Sequence, residues 1–440
     1  MTEMAVNMIT IEGYSVNHTK PPAKGRNGVV LPGQYNGTPH NLTIDEDLLS
    51  KHFLLIGGTG CGKTNVFNFF VKHIKNTMTN DDVMIVFDTK GDYYSRFYQP
   101  GDIVIANSKR FSQVAKVWNI YKEIVIDGWD DSDIFNNTHE ITHSFFKDAI
   151  EKSQQQFFPS AARDLLAAIL IANIRLGEKD ISFRKQILNN KALSFYLNSM
   201  TVDHLKKLLR DSDLGSVLSY LGDGNNTQAL GVIAELQNVV RQIIMGSFAE
   251  HGGFSVRNFV RKKGGRTLFI EYDLSIGDTL APMYRLLFDL ALKEALGRNK
   301  TEGNVFLICD EFKLLPNLQH IDDGVNFGRS LGVKIIAGLQ SIDQLYEIYG
   351  ENRGHSIASG FSSVISFKSN DTTTREFVSD LYGKNIVLEQ YRKSNNMIEE
   401  ETREGKTVED WDINALQVGE AIVGLAYEKP FKYKFDIFHG

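Results

Sequence analysis

The clearest chemical signature is a glycine-rich loop over residues 57–64, GGTGCGKT, which fits the pattern G-x-x-x-x-G-K-[ST] at every position. The apolar run over residues 53–56 predicts a buried strand before it, and a helix is expected to begin near Lys63. Glycines let backbone N–H groups turn toward phosphate oxygens, and the helix N-terminus adds positive dipole. A chance glycine-rich turn would not require the strand and the helix on either side. We therefore predict a phosphate-binding loop for ATP, formed by Gly57, Gly58, Thr59, Gly60, Cys61, Gly62, Lys63 and Thr64.

A second segment, residues 304–312 with the sequence NVFLICDEF, ends an apolar strand in two acids. Ligands of open α/β sheets bind at the carboxyl ends of the strands, so these acids are expected near the phosphate-binding loop. Lys63 would then reach the β- and γ-phosphates, while Thr64 and Asp310 would hold Mg²⁺. Glu311 would polarise the attacking water. The alternative is a solvated acidic strand end, but the paired loop favours hydrolysis of ATP to ADP and phosphate.

Polar residues flank the next predicted strand, residues 333–337. Gln340 follows it and could contact both the γ-phosphate and the water, or cap the helix that comes next. Arg329 precedes it and could complete a neighbour's site as an arginine finger, or lie solvated on a helix. The segment 88–92, DTKGD, is either a charged turn or a contributor to catalysis. The residue pattern alone leaves these alternatives open.

Composition limits the function classes. The 440 residues carry a formal net charge of -6, so no global positive charge indicates nucleic-acid binding, although a channel needs only a local basic stripe. Two basic clusters, within residues 20–26 and 257–266, could contact phosphates but are more often solvated surface. His139 and His143 lack an evident third metal ligand. Two cysteines indicate a reducing compartment.

The sequence shows no signal peptide, and its most apolar helical run, residues 165–174, is shorter than the ~20 residues that span a bilayer. We therefore expect a cytoplasmic protein without a membrane anchor of its own. If it works at the inner face of the cell membrane, a partner protein recruits it there.

The order of the predicted elements indicates an α/β fold with an insertion. Residues 1–50 form an arm with short extended pieces, and residues 51–109 begin the nucleotide-binding domain. Apolar residues recur at helical spacing over residues 110–262, which predicts an inserted all-α domain. Strands and helices alternate again over residues 263–440, the second part of the nucleotide-binding domain. Such alternation predicts a central, mostly parallel sheet with helices on both faces.

Several of these segments together resemble the coupling ATPases of conjugation and type IV secretion, the TraG/TraD-like group of the HerA/FtsK superfamily. The resemblance spans most of residues 30–435 and is most specific over residues 308–350. The segments that carry it are HFLLIGGTGCGKT, FDTKGDYY, WNIYKEI, FFPSAARDLLAAIL, ICDEFKLLPNLQHIDDGVNFGRSLGVKIIAGLQSIDQLYEIYG, DTTTREFVSDLYG and GEAIVGLAYEKPFKYKF.

This resemblance implies a P-loop NTPase core of the RecA-like type with ATP and Mg²⁺ as its ligands. It implies that Gln340 senses the γ-phosphate and that Arg329 acts in trans as an arginine finger. It also implies a homo-hexameric ring that pumps single- or double-stranded DNA, without reading its sequence, through a central channel. A relaxase and a secretion-channel ATPase are the implied partners, with the all-helical insert facing the relaxase.

Two departures from the family pattern matter. Members commonly begin with a transmembrane segment, which is not evident here, and Thr89 stands where the family usually has proline. Three functions therefore stay under consideration. The first is a DNA translocase that couples relaxase–DNA to a secretion channel. The others are a HerA-like motor for DNA processing or defence, and an ATP-binding switch that docks effectors with little hydrolysis.

Overall fold

The computed structural model describes residues 5–18, 28–210, 212–222, 226–299, 302–392 and 397–440, so the basic cluster within residues 20–26 lies outside the described residues. The strands are β1 Ala5–Gly13, β2 Gly28–Tyr35, β3 Thr38–Asp45, β4 Phe53–Ile56, β5 Val83–Asp88, β6 Ile103–Ala106, β7 Arg266–Glu271, β8 Val305–Cys309, β9 Val333–Leu339, β10 Ser363–Phe367, β11 Lys384–Arg392, β12 Ile398–Lys406, β13 Glu420–Gly424 and β14 Phe431–Phe435.

The helices are α1 Glu46–Leu49, α2 Lys63–Thr77, α3 Asp92–Phe97, α4 Ile120–Ile124, α5 Asp131–Lys152, α6 Phe157–Lys179, α7 Ile181–Ile187, α8 Asn190–Ser199, α9 Val202–Leu209, α10 Thr227–Ile243, α11 Val256–Lys262, α12 Gly277–Leu296, α13 Ile321–Phe327, α14 Asp343–Tyr349, α15 Glu351–Gly360, α16 Thr372–Leu381 and α17 Asp410–Asn414. The chain forms two compact units. We call residues 1–84 with 298–440 the terminal unit, and residues 85–297 the middle unit.

The terminal unit is built on a sheet whose strand order is β3-β2-β14-β13-β10-β4-β9-β8. The four strands β10, β4, β9 and β8 run parallel to one another. β4, β9 and β8 are apolar and completely buried, as expected for strands covered by helices on both faces. Their carboxyl ends share one edge of the sheet, and α2 begins at that edge with Lys63, the seventh residue of the phosphate-binding loop. The predicted α/β fold with a mostly parallel central sheet is confirmed.

Antiparallel strands make up the rest of this unit. β13 pairs with β10 and with β14, and β2 and β3 add two further strands beyond β14. A separate three-stranded sheet, with the order β1-β11-β12, was not predicted. Its strand β12 reads IEEETREGK, and most of its side chains are exposed. Such a polar strand carries no burial pattern, so periodicity could not reveal it.

The middle unit combines strands with a group of helices. β7 lies between β5 and β6 and pairs in parallel with β6. Between α4 and α11, the described residues form helices and turns and no strand, which matches the predicted helical texture. α6 packs against α5 and α10, and most of its apolar residues are buried.

The length of α6 corrects one expectation. The helix has 23 residues with a mean hydropathy of 1.4 over its most apolar window, so it is long and apolar enough to cross a membrane. The prediction that no helical run reaches that length was therefore wrong. Within the protein, 72% of that window is buried, which is typical of a core helix. It is the one such helix among the described residues.

Candidate nucleotide site

The phosphate-binding loop connects buried strand β4 to helix α2. Gly57, Gly60 and Gly62 have φ angles of +153°, +76° and +118°, which side chains with a Cβ rarely adopt. Two backbone hydrogen bonds fix the start of the loop. The Gly57 N–H donates to the Leu339 carbonyl at 3.1 Å, and the Gly58 N–H donates to the Lys368 carbonyl at 2.9 Å. Neighbouring strands therefore fix the conformation that the glycines make accessible.

The first glycine also meets a packing limit. A Cβ on Gly57 would lie 2.7 Å from the Cβ of Phe367 and 3.2 Å from the Cys61 sulfur. On the outer side of the loop, the Gly419 N–H donates to the Cys61 carbonyl at 2.9 Å. Cys61 is buried and its sulfur packs beside Gly57, and this burial raises the pKa of its thiol.

Lys63 folds back over its own loop. Its ammonium donates to the Gly57 carbonyl at 2.5 Å and to the Gly58 carbonyl at 3.2 Å, and the residue is only 8% exposed. A buried ammonium needs such partners, because removing a charge from water without them is costly. The lysine is therefore held beside the backbone that would surround a phosphate.

Thr64 and Asp310 meet across the sheet edge. The Thr64 hydroxyl donates to Oδ2 of Asp310 at 2.7 Å. Thr64 lies in the first turn of α2, and Asp310 directly follows β8. A hydroxyl and a carboxylate are the oxygen ligands that Mg²⁺ prefers. The predicted loop and the predicted acidic strand end thus converge, although 246 positions separate the two residues.

Gln340 connects the loop to Glu311. Its amide nitrogen donates to the two carboxylate oxygens of Glu311 at 3.2 and 3.0 Å. Its carbonyl oxygen accepts from the Thr59 hydroxyl at 3.3 Å. The alternative role of helix cap does not apply, because the N-cap residue of α14 is Ile342. The side chains of Thr59, Gln340 and Glu311 therefore form one continuous hydrogen-bonded chain.

A close approach at Gly338 makes this arrangement possible, and the sequence reasoning missed it. A Cβ at this position would lie 2.2 Å from the Asp310 carbonyl and 3.0 Å from the Phe67 ring. Gly338 occupies a fully buried strand, where glycine normally weakens the sheet. That cost is the signal that could have revealed a position where the backbone of the acidic segment comes unusually near.

Arg329 does not lie at the sheet edge that carries the phosphate-binding loop of the same chain. It lies in the 3₁₀ turn Gly328–Leu331 before β9, whereas Gln340 follows β9. The seven residues of the strand separate the two edges by roughly 23 Å at the usual strand rise. Arg329 donates to Asp47 at 3.0 Å, and its side chain is half exposed. Within one chain it therefore faces away from the phosphate-binding loop.

The segment 88–92 lies in the middle unit and has a visible local role. The Asp88 carboxylate accepts backbone N–H bonds from Gly91 at 2.9 Å, Tyr94 at 2.8 Å and Lys90 at 3.3 Å. Asp88 is buried, and that burial raises its pKa despite the three donors. The carboxylate fixes the turn that leads into α3, which agrees with the structural alternative for this segment.

The basic cluster at residues 257–266 is largely engaged inside the middle unit. Arg257 is 5% exposed and pairs with Asp127 and Glu294, each at 3.0 Å. Arg261 pairs with the same two carboxylates at 2.5 and 2.6 Å. Neither the solvated-surface reading nor the phosphate-contact reading fits Arg257. In the described part of the chain, no group of three or more His, Cys, Asp or Glu residues could hold a metal ion.

Comparison with known proteins assigns the chain to a protein family. Residues 40–415 match the family model described as the type IV secretion-system coupling protein DNA-binding domain. That match covers most of the chain. The chain belongs to this family. The predicted resemblance to the coupling proteins of conjugation and type IV secretion is thereby confirmed.

Individual relatives are consistent with this membership. The coupling protein TraD of Escherichia coli is 23% identical over 381 residues, covering 84% of this chain and 49% of TraD. The conjugal transfer protein TraG of Agrobacterium fabrum is 28% identical over 137 residues, covering 30% of this chain and 21% of TraG. The chain thus spans about half the length of TraD. The plasmid coupling protein TrwB in complex with ADP and Mg²⁺ has the same fold, with a TM-score of 0.72, 20% identity and coverage of 98% of this chain and 95% of that chain.

Proposed function

We propose that this coupling-family chain hydrolyses ATP and uses the energy to move DNA toward a type IV secretion or conjugation channel. The observation that carries the proposal is the 2.7 Å hydrogen bond between Thr64 and Asp310, which joins the phosphate-binding loop to the acidic strand end. A switch that only docks effectors would need the phosphate-binding loop. It would not need the hydrogen bonds by which Thr59 and Gln340 connect that loop to Glu311.

The donor set fits Mg·ATP as the substrate complex. Thr64 and Asp310 would hold the metal ion, and the amides of the phosphate-binding loop would surround the phosphates. When bound, Mg²⁺ would neutralise negative charge on the phosphate oxygens. Lys63, already beside the loop carbonyls, would exchange these partners for phosphate oxygens. These roles of Thr64, Asp310 and Lys63 are assigned from the chemistry of their side chains and from their positions around the loop.

Glu311 would orient and activate the attacking water. Its two oxygens are engaged by the Gln340 amide, so the carboxylate is held in one orientation at the strand end. Thr59, in the loop itself, contacts the other end of that amide. A γ-phosphate arriving at the loop would compete for Thr59 and Gln340. We infer that nucleotide binding thereby repositions Glu311 for its task.

Arg329 would act on a neighbouring subunit. Its half-exposed side chain lies at the edge of the sheet opposite the phosphate-binding loop, so it could reach a nucleotide only in a second chain. A homo-hexameric ring with sites between subunits supplies that arrangement. In this reading Asp47 holds the finger until the partner subunit engages it.

The cargo and the surroundings complete the proposal. The chain would act on DNA through its phosphates, without reading sequence, and receive it with a relaxase near a secretion-channel ATPase. The helical segment 110–262 would be an inserted domain within a nucleotide-binding domain formed by residues 51–109 and 263–440. The protein would work in the cytoplasm, recruited to the inner face of the membrane by a partner.

The decisive experiment measures ATP turnover of the full chain with no DNA, with single-stranded DNA and with duplex DNA. We expect DNA to stimulate hydrolysis, and Lys63→Ala and Glu311→Gln to abolish it. Lys72→Ala is the matched control, because Lys72 is an exposed lysine of the same helix. Nucleotide binding without any DNA-stimulated turnover would reject the motor in favour of the docking switch.

A further inference from the structure

A small exposed surface of the middle unit collects positive charge beside an exposed aromatic ring. Lys90 lies within the turn that Asp88 fixes, and its side chain is exposed. The Arg110 guanidinium reaches the Lys90 carbonyl at 3.4 Å and the Ser95 hydroxyl at 3.2 Å. Lys109 is its exposed neighbour in sequence. Among the described residues, none of these three cations forms an ion pair, so their charges face solvent.

Aromatic rings continue from this cluster to the surface. The Arg110 guanidinium lies 5.1 Å from the Phe111 ring centre, and Tyr94 packs edge-on against Phe111 at 5.2 Å. Tyr98 follows at 5.0 Å from Tyr94 and is 42% exposed. A ring that is supported on one side and open on the other can stack against an unpaired base. We call Lys90, Tyr98, Lys109 and Arg110 the Arg110 surface.

The acids near this surface weaken its charge only in part. Asp88 is buried and its carboxylate is satisfied by three backbone donors. Glu271 is 4% exposed and lies against Gly91, where a Cβ would be 2.8 Å from its Oε1. Burial, and then the neighbouring Asp88, raise the pKa of Glu271 to about 8, while the nearby Arg110 guanidinium opposes that rise. Asp92 is the exposed acid that opposes the cations.

We propose that the Arg110 surface binds the backbone of single-stranded DNA, with the cations on successive phosphates and Tyr98 stacked on a base. The inference rests on the proposed function and adds a location and a strand preference. Phosphate contacts would serve any nucleic acid, but only a single strand presents an unpaired base face to Tyr98. The surface would take the DNA independently of sequence, because contacts to phosphates and stacking on a base face read no base edges.

The test measures binding of the full chain to a fluorescent oligo-dT strand and to a duplex by anisotropy, over a series of salt concentrations. Lys90→Glu with Lys109→Glu is the charge variant. Its matched control is Lys152→Glu with Lys179→Glu, two exposed lysines of the same unit with the same change in net charge. We expect the charge variant to bind the single strand at least about 10-fold more weakly, with a salt slope lower by about 1.4, since each lost phosphate contact removes ~0.7.

Tyr98→Ala separates the aromatic part from the charges. It should weaken binding of the single strand several-fold and leave duplex binding and its salt slope unchanged. A nucleotide-induced thermal shift identical to the parent's would verify that each variant is folded. If the charge variant binds DNA as tightly as the parent, or if the lysine control loses as much affinity, the proposed DNA binding by the Arg110 surface is wrong and the proposed function is unaffected. Failure of the parent to bind any DNA would overturn the proposed function as well.

Discussion

The amide nitrogen of Gln340 lies within 3.2 Å of both carboxylate oxygens of Glu311, so one side chain fixes the orientation of the other. The same amide accepts from Thr59 in the phosphate-binding loop at 3.3 Å. A residue at the end of β9 therefore links the acid that would activate water to the loop that would hold the phosphates. In the proposed mechanism, this linkage would couple nucleotide occupancy to the orientation of Glu311.

Replacing Gln340 should separate catalysis from binding. We expect Gln340→Ala to lower kcat by about 10- to 100-fold, because Glu311 loses its orienting donor. The affinity for nucleotide should change little, since Lys63 and Thr64 are untouched. Steady-state ATP hydrolysis and nucleotide titration measure the two effects. Gln242→Ala, an exposed glutamine of α10, serves as control. A large loss of nucleotide affinity with normal kcat would contradict this role.

Adding one methyl group at Gly338 should disturb both the sheet and the site. The new Cβ would fall 2.2 Å from the Asp310 carbonyl, a backbone atom that cannot rotate away. We expect Gly338→Ala to destabilise folding by about 1–3 kcal/mol, as overpacked cores do, and to lower ATP hydrolysis by displacing Asp310. Gly253→Ala is the control, because nothing lies within 4 Å of its added Cβ. Thermal unfolding that matches the control would show that the strands accommodate the methyl group.

The sequence could predict the parts of the site that are contiguous or end apolar strands. The loop at residues 57–64 is a complete local pattern, and Asp310 follows five apolar residues, so the sequence alone indicates both. The hydrogen bonds from Gln340 to Glu311 and Thr59 depend on side-chain rotamers across two elements. No spacing rule specifies rotamers, so the sequence alone leaves open whether Gln340 contacts the γ-phosphate or caps a helix.

Other features depend on tertiary contacts that a single sequence does not display. Arg257 and Arg261 look like a basic surface cluster until Asp127 and Glu294 are seen to pair with them. The strand β12 alternates too weakly to be recognised, because most of its side chains are exposed. In the same way, the Arg110 surface joins residues 90, 98 and 110 through one guanidinium and a chain of rings.

Glu271 predicts a pH dependence of stability. The folded protein holds the proton of this buried carboxyl up to about pH 8, whereas the unfolded chain releases it near the ordinary value of 4.5. The folded state therefore binds more protons between these values, and its stability falls as the pH rises from about 4.5 to 8. Glu271→Gln should remove this loss. We expect the variant to exceed the parent by on the order of 1–3 kcal/mol at pH 8.5 and to match it near pH 5.

Thermal unfolding of parent and variant at the two pH values checks this expectation. Asp133→Asn is a suitable control, because Asp133 is an acid of the same unit that is partly exposed to solvent, unlike Glu271. A parent whose stability rises over this pH range, relative to Glu271→Gln, would mean that Glu271 is ionised and paired in the folded protein.

Subunit mixing tests whether Arg329 acts in trans. We expect Arg329→Ala and Glu311→Gln each to reduce ATP hydrolysis by about 100-fold or more, since arginine fingers contribute at least that much. In a ring assembled from both variants, a subunit with intact Glu311 can receive Arg329 from its neighbour. Random mixing in equal amounts should restore about a quarter of the sites, because each functional pair needs two intact residues. The measurement is the hydrolysis rate of co-assembled variants against the sum of the separate rates. Asp47→Ala, which frees Arg329 from its present partner, should leave the recovery intact. If the mixture hydrolyses ATP no faster than the sum of the two separate rates, Arg329 and Glu311 do not share a site. Arg329 would then be a surface residue paired with Asp47.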